Sequence, residues 1–149
     1  MLQSLQFCAV HALNNLFQGK EIFSKDQLNQ ISKELAPDAW WNPHRSPLGF
    51  GNYDINVIQV ALHQRKYAAI WYDRRKDPCC LELSKILGFI LNIPSRWNIG
   101  PISLPITGKH WVVVRRREDD PSSPFVLLDS KVPAPTDIGD VSRCFLRCT

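Results

Sequence analysis

The hydrophobic rhythm of this chain changes once, and that change limits the folds open to it. Up to Leu62 the apolar residues recur at helical spacing; from Tyr67 onward they come in short runs rich in β-branched and aromatic side chains. Ala9, Ala12, Leu13, Leu16 and Phe17 fall on one face of a helix that Gly19 is expected to stop. A second helix announces itself by a capping box, Ser24 with Gln27, and a hydrophobic staple, Phe23 with Leu28. Leu28, Ile31 and Leu35 form its expected buried stripe, and Pro37 ends it. Asp38 to Gly51 is rich in Pro, Gly and Trp and reads as a long connection. Asn52 or Asp54 can then cap a third helix with Val57, Ile58, Ala61 and Leu62 inward.

The later runs are Tyr67–Tyr72, Phe89–Ile93, His110–Arg116 and Phe125–Asp129, with a helix near Leu81–Leu87 between the first two. Helices first and strands later predict an α+β domain, its N-terminal helices packed on a mostly antiparallel sheet. A length of 149 residues suits one domain with a single core. There is no internal repeat and no low-complexity tract.

Cysteine usage and charge narrow the chemistry. The five Cys include the adjacent Cys79 and Cys80 but no C-x-x-C pair, so neither a zinc site nor a disulfide framework is indicated. Free thiols fit a reducing, cytoplasmic setting. No apolar stretch reaches the roughly 18 residues of a membrane span. The start of the chain lacks the pattern of a signal peptide. The net charge of +4 draws on Arg74-Arg75-Lys76 and Arg115-Arg116-Arg117. Neither cluster is interleaved with aromatics, so a solvated surface is expected and nucleic acid is not.

Cys8 stands at a predicted helix start, His110 opens a predicted strand, and Asp129 closes the next one. A thiol nucleophile, an imidazole that carries its proton and a carboxylate that orients the imidazole are the parts of a papain-like thiol hydrolase. At a helix start, partial positive charge and unpaired N–H groups should let Cys8 ionise more readily than a free thiol. Alternation along the strand sends Trp111 into the core and turns His110 towards a cleft. His11, one turn after Cys8, is a rival base or a residue lining the site. An oxyanion would need a side-chain amide beside the Cys8 N–H, and Gln3 and Gln6 are both within range. Pairing Arg117 with Phe125 sets His110 opposite Val132, on the wrong face for Asp129. A bulge or asymmetric turn within Glu118–Pro124 is therefore expected.

Several blocks in order resemble the Josephin domain: Gln3 to Asn15, Gly51 to Val57, Trp71 to Arg75, Lys109-His110-Trp111 and Leu128 to Lys131. The likeness is to the small stand-alone members and covers Gln3 to about Lys131. The resemblance implies a papain-like fold and a deubiquitinating cysteine protease that cleaves at the ubiquitin C-terminus. It assigns the nucleophile to Cys8, the proton carrier to His110, the orienting role to Asp129 and the oxyanion amide to Gln3. It implies ubiquitin and ubiquitinated proteins as partners and no metal or cofactor. It also implies a monomer, with the Asp38–Gly51 arm gating access. Departures from the family pattern lie at Val126-Leu127 and at both ends. Only Met1-Leu2 precede Gln3, and a terminal helix and strand are not represented. A single catalytic domain truncated at both ends is therefore expected, the alternative being a ubiquitin-binding module left inactive by the missing strand.

Overall fold

A computed structural model describes residues 7–19, 21–37, 53–73, 75–77, 81–99, 102–117 and 124–139, with backbone alone for 95–99 and 102–108. Three helices come first: α1 Cys8–Phe17, α2 Lys25–Leu35 and α3 Ile55–Gln64. Four strands follow: β1 Gly88–Ile99, β2 Ile102–Arg116, β3 Phe125–Leu128 and β4 Thr136–Gly139. They form one antiparallel sheet in the order β1-β2-β3-β4.

Local chemistry explains the helices. The Ser24 hydroxyl accepts the Gln27 N–H while the Gln27 side chain accepts the Ser24 N–H, closing the capping box of α2. Asp54, rather than Asn52, caps α3 by accepting the Asn56 and Val57 N–H groups. Its inward face is Val57, Ile58, Ala61 and Leu62, all buried. Two expectations are corrected here. The residue that ends α1 in the left-handed conformation is Gln18, not Gly19. Gly19 instead packs against the Ile22 side chain, which a Cβ at that position would have to displace. Leu35 is 37% exposed, so the buried stripe of α2 is Leu28 and Ile31 without it.

The sheet departs further from expectation. Tyr67–Tyr72 is not a strand; Ile70 and Trp71 are 88% and 76% exposed. The helix near Leu81–Leu87 shrinks to a 3-10 turn, Leu83–Lys85. β1 and β2 are much longer than their apolar runs, and β4 was not anticipated. Pro94 is tolerated because β1 is an edge of the sheet. Pro105 falls where the register jumps from Arg96↔Thr107 to Trp97↔Leu104, a bulge that spares a residue with no N–H to pair.

Helices and sheet share a core of α1, α2 and α3 side chains closed by Trp111 and Val113. The Trp111 indole N–H donates to the Tyr53 carbonyl at 3.0 Å, tying β2 to the start of α3. Val114, Phe125 and Ile138 form a second cluster, in which Val114 stands on the opposite face of β2 from Trp111 and Val113. Three residues of the basic runs are engaged: Arg75 pairs with Asp73, Arg117 with Asp137, and Arg115 donates to the Leu16 carbonyl. Among the described residues no helix is long and apolar enough to cross a membrane.

Candidate active site

The register of β2 against β3 decides whether His110 and Asp129 can meet. The ladder pairs Arg116 with Phe125 and Val113 with Leu128. It is one residue away from the expected Arg117–Phe125 pairing. A one-residue shift exchanges the faces of a strand. His110 and Asp129 consequently share a face as diagonal neighbours just beyond the last pair, within reach of an imidazole and a carboxylate. The four β2–β3 pairs carry no register shift, and the expected bulge or asymmetric turn within Glu118–Pro124 falls on 118–123, outside the described residues.

The contact is short and buried. His110 Nε2 lies 2.6 Å from Asp129 Oδ1, and His110 is 3% exposed. A carboxylate only accepts, so the proton of a neutral imidazole resides on Nε2, leaving Nδ1 as the free lone pair. Asp129 is itself held. Its Oδ1 also accepts the Lys131 backbone N–H at 2.8 Å, and its carbonyl accepts the Val132 N–H at 3.0 Å. This Asx turn follows from an Asp leaving a strand into Ser-Lys. It fixes the carboxylate in one orientation, a role the sequence reading did not assign.

Cys8 is the first residue of α1, where Phe7 provides no side-chain cap. The sulfur accepts hydrogen bonds from the backbone N–H groups of Trp111 and Ala9. A bond to the Trp111 amide puts the thiol beside the peptide unit that joins His110 to Trp111. β3 pairs with β2 only from Val113 onward, which leaves this stretch of β2 without β3 beside it.

The electrostatics reverse one expectation. Burial pushes the Cys8 thiol up from its ordinary pKa and outweighs the lowering by the Trp111 and Ala9 amides and by the positive charge of Lys131. Cys8 is 2% exposed, and removal from water penalises a thiolate more than a helix start favours it. Burial thus favours the neutral thiol over the thiolate. Alkylation of Cys8 by a small neutral haloacetamide should therefore keep rising with pH past the point where an ordinary thiol of pKa about 8.5 levels off. Peptide mapping at each pH checks this. A plateau reached below neutral pH would instead reveal a preformed thiolate.

The remaining candidates divide plainly. His11 is exposed, meets Phe7 edge-on at 6.2 Å between ring centroids, and lines a cleft shared with Asp129. The carboxylate is bonded to His110 and not to His11. Gln3, Gln6, the Asp38–Gly51 arm and the other four cysteines lie outside the described residues. Among the described residues no cluster of three or more His, Cys, Asp or Glu could hold a metal ion.

Helices packed against a four-stranded antiparallel sheet make this an α+β domain of the papain-like cysteine protease fold. The Josephin family model matches residues 3–144, and the chain belongs to that family. It is 49% identical over 138 residues to a Josephin-like protein of Drosophila melanogaster, covering 92% of this chain and 61% of that one. It is 48% identical over 146 residues to Josephin-2 of Homo sapiens, covering 97% of this chain and 75% of the relative. A Josephin-like protein of Arabidopsis thaliana is 35% identical over 127 residues, with 76% and 34% covered. The chain thus spans about three-fifths of the fly relative and three-quarters of the human one.

Proposed function

We propose that this chain is a deubiquitinating cysteine protease that hydrolyses acyl bonds at the ubiquitin C-terminus, with Cys8 as nucleophile, His110 as proton carrier and Asp129 as orienting residue. The observation that supports the reading is the part-buried 2.6 Å bond from His110 Nε2 to Asp129 Oδ1, with His110 one residue before the amide that binds the Cys8 sulfur. A neutral thiol favours a concerted start. His110 Nδ1 takes the thiol proton as sulfur attacks the carbonyl carbon of the terminal Gly. The oxyanion is held by the Cys8 backbone N–H and, in this proposal, by the side-chain amide of Gln3. Collapse breaks the C–N bond, and the imidazolium returns its proton to the departing amine. A thioester remains. Water then attacks it, His110 takes a proton from that water, the C–S bond breaks as ubiquitin acid is released, and the imidazolium returns the proton to the departing sulfur. No metal or organic cofactor takes part in these steps. Free thiols fit the cytoplasm as the setting, and the partners are ubiquitin and the proteins that carry it.

Removing the nucleophile should be decisive. Cys8→Ala is expected to reduce turnover of a ubiquitin C-terminal fluorogenic amide by about 10⁴-fold or more, as for loss of a nucleophile in other triads. Equal turnover by both proteins would reject Cys8. One observation favours a second reading: a thiol that is 2% exposed must be uncovered before it can attack. A chain that bound ubiquitin tightly with no turnover and no labelling of Cys8 would be a binding module.

A further inference from the structure

Cys8, His11 and Asn15 are spaced three and four apart and so share one face of α1. Below the thiol, His11 and Asn15 face the segment that follows β3, and a cleft of about 310 Å³ separates them. Its other wall is Asp129 and Ser130, continued by Val132 and the prolines after it. From Cys8 to Asn15 the helix rises about 10 Å, which matches about three residues of extended peptide.

The polar groups of this cleft have an unusual status. The Ser130 hydroxyl is buried with no hydrogen-bond partner. A buried polar group left so carries an uncompensated desolvation cost and asks for an explanation. His11 and Asn15 make no side-chain hydrogen bond to another described residue, whereas Asp129 Oδ1 is already occupied twice. The cleft is lined mostly by polar surface, and His11 and Asn15 offer hydrogen-bonding groups across from Val132 and the prolines, where a peptide main chain could find partners.

Its position selects which chain. The imidazole that accepts the thiol proton must return it to the amine, so the departing group leaves on the imidazole side of the sulfur. Asp129 stands behind that imidazole, and the cleft begins at Asp129. We propose that this cleft holds the main chain of the departing polypeptide, the segment flanking the lysine whose side-chain nitrogen is released. His11, Asn15 and Ser130 are then specificity-determining contacts with that segment. The inference rests on the hydrolase reading given above.

Two substrates that share ubiquitin and differ only in the departing group test it. One is ubiquitin joined to a small fluorophore; the other is ubiquitin joined through an isopeptide bond to a lysine within a short peptide. The variants are His11→Ala and Ser130→Ala, each checked for folding by circular dichroism. KM for the peptide conjugate is expected to rise about tenfold more than KM for the fluorophore conjugate, with kcat for the two substrates moving in parallel. Equal KM changes on both substrates, or none on either, would overturn the assignment of the cleft while leaving the hydrolase reading intact. A wild-type chain that turns over neither substrate overturns both.

Discussion

Asp129→Ala is expected to lower turnover of a ubiquitin C-terminal amide by about 10²–10⁴-fold, while Asp129→Asn keeps activity within about tenfold of wild type. The difference comes from the geometry of one oxygen. Asp129 Oδ1 accepts from both His110 Nε2 and the Lys131 backbone N–H, at 2.6 and 2.8 Å. In an Asn side chain the Lys131 N–H would select the amide oxygen for that position and turn the NH₂ away. The oxygen would still accept from His110 Nε2 and keep Nδ1 free to take the thiol proton. An Ala there removes the acceptor, and neither the tautomer nor the ring orientation is fixed. Steady-state kinetics of the two variants decides the matter. Turnover of Asp129→Ala within twofold of wild type would remove Asp129 from the mechanism.

The largest structural effect is expected at Trp111. Trp111→Ala should destabilise the fold by about 3–5 kcal/mol through the cavity it leaves. The Tyr53 carbonyl would lose its partner as well. Domains of this kind are stable by only about 5–15 kcal/mol, so the loss is a large fraction of the whole. Urea unfolding followed by fluorescence checks it, provided the remaining tryptophans report the transition. A shift worth less than about 1 kcal/mol would contradict the place given to Trp111 in the core. The variant links fold to site, because the Trp111 amide also donates to the Cys8 sulfur and the preceding residue is His110.

The helices were legible in the sequence because their signals are local. Ser24 with Gln27 and Asp54 before Ile55 act within four residues, and each is observed as a cap. The long hairpin was hidden for the opposite reason. Pro94 and Pro105 break the strand pattern, yet one sits on an edge and the other in a bulge, placements known only once the partners are known. Tyr67–Tyr72 has the composition of a strand, but composition does not supply a neighbour. The three candidate residues could be named from residue type and order. That His110 meets Asp129 depended on the register of β2 against β3, set by pairing across a connection whose length alone does not fix it. The thiol shows the same limit. A helix start lowers a pKa and burial raises it, and only the packed fold tells which prevails.

A ubiquitin chain carrying an electrophile in place of its terminal carboxylate tests the central claim directly, with the modified residue located by peptide mapping. Modification of Cys8 ahead of Cys79, Cys80, Cys144 and Cys148, lost in His110→Ala, is the expected result. Preferential modification of any other cysteine, or labelling of Cys8 that is indifferent to His110, would contradict it.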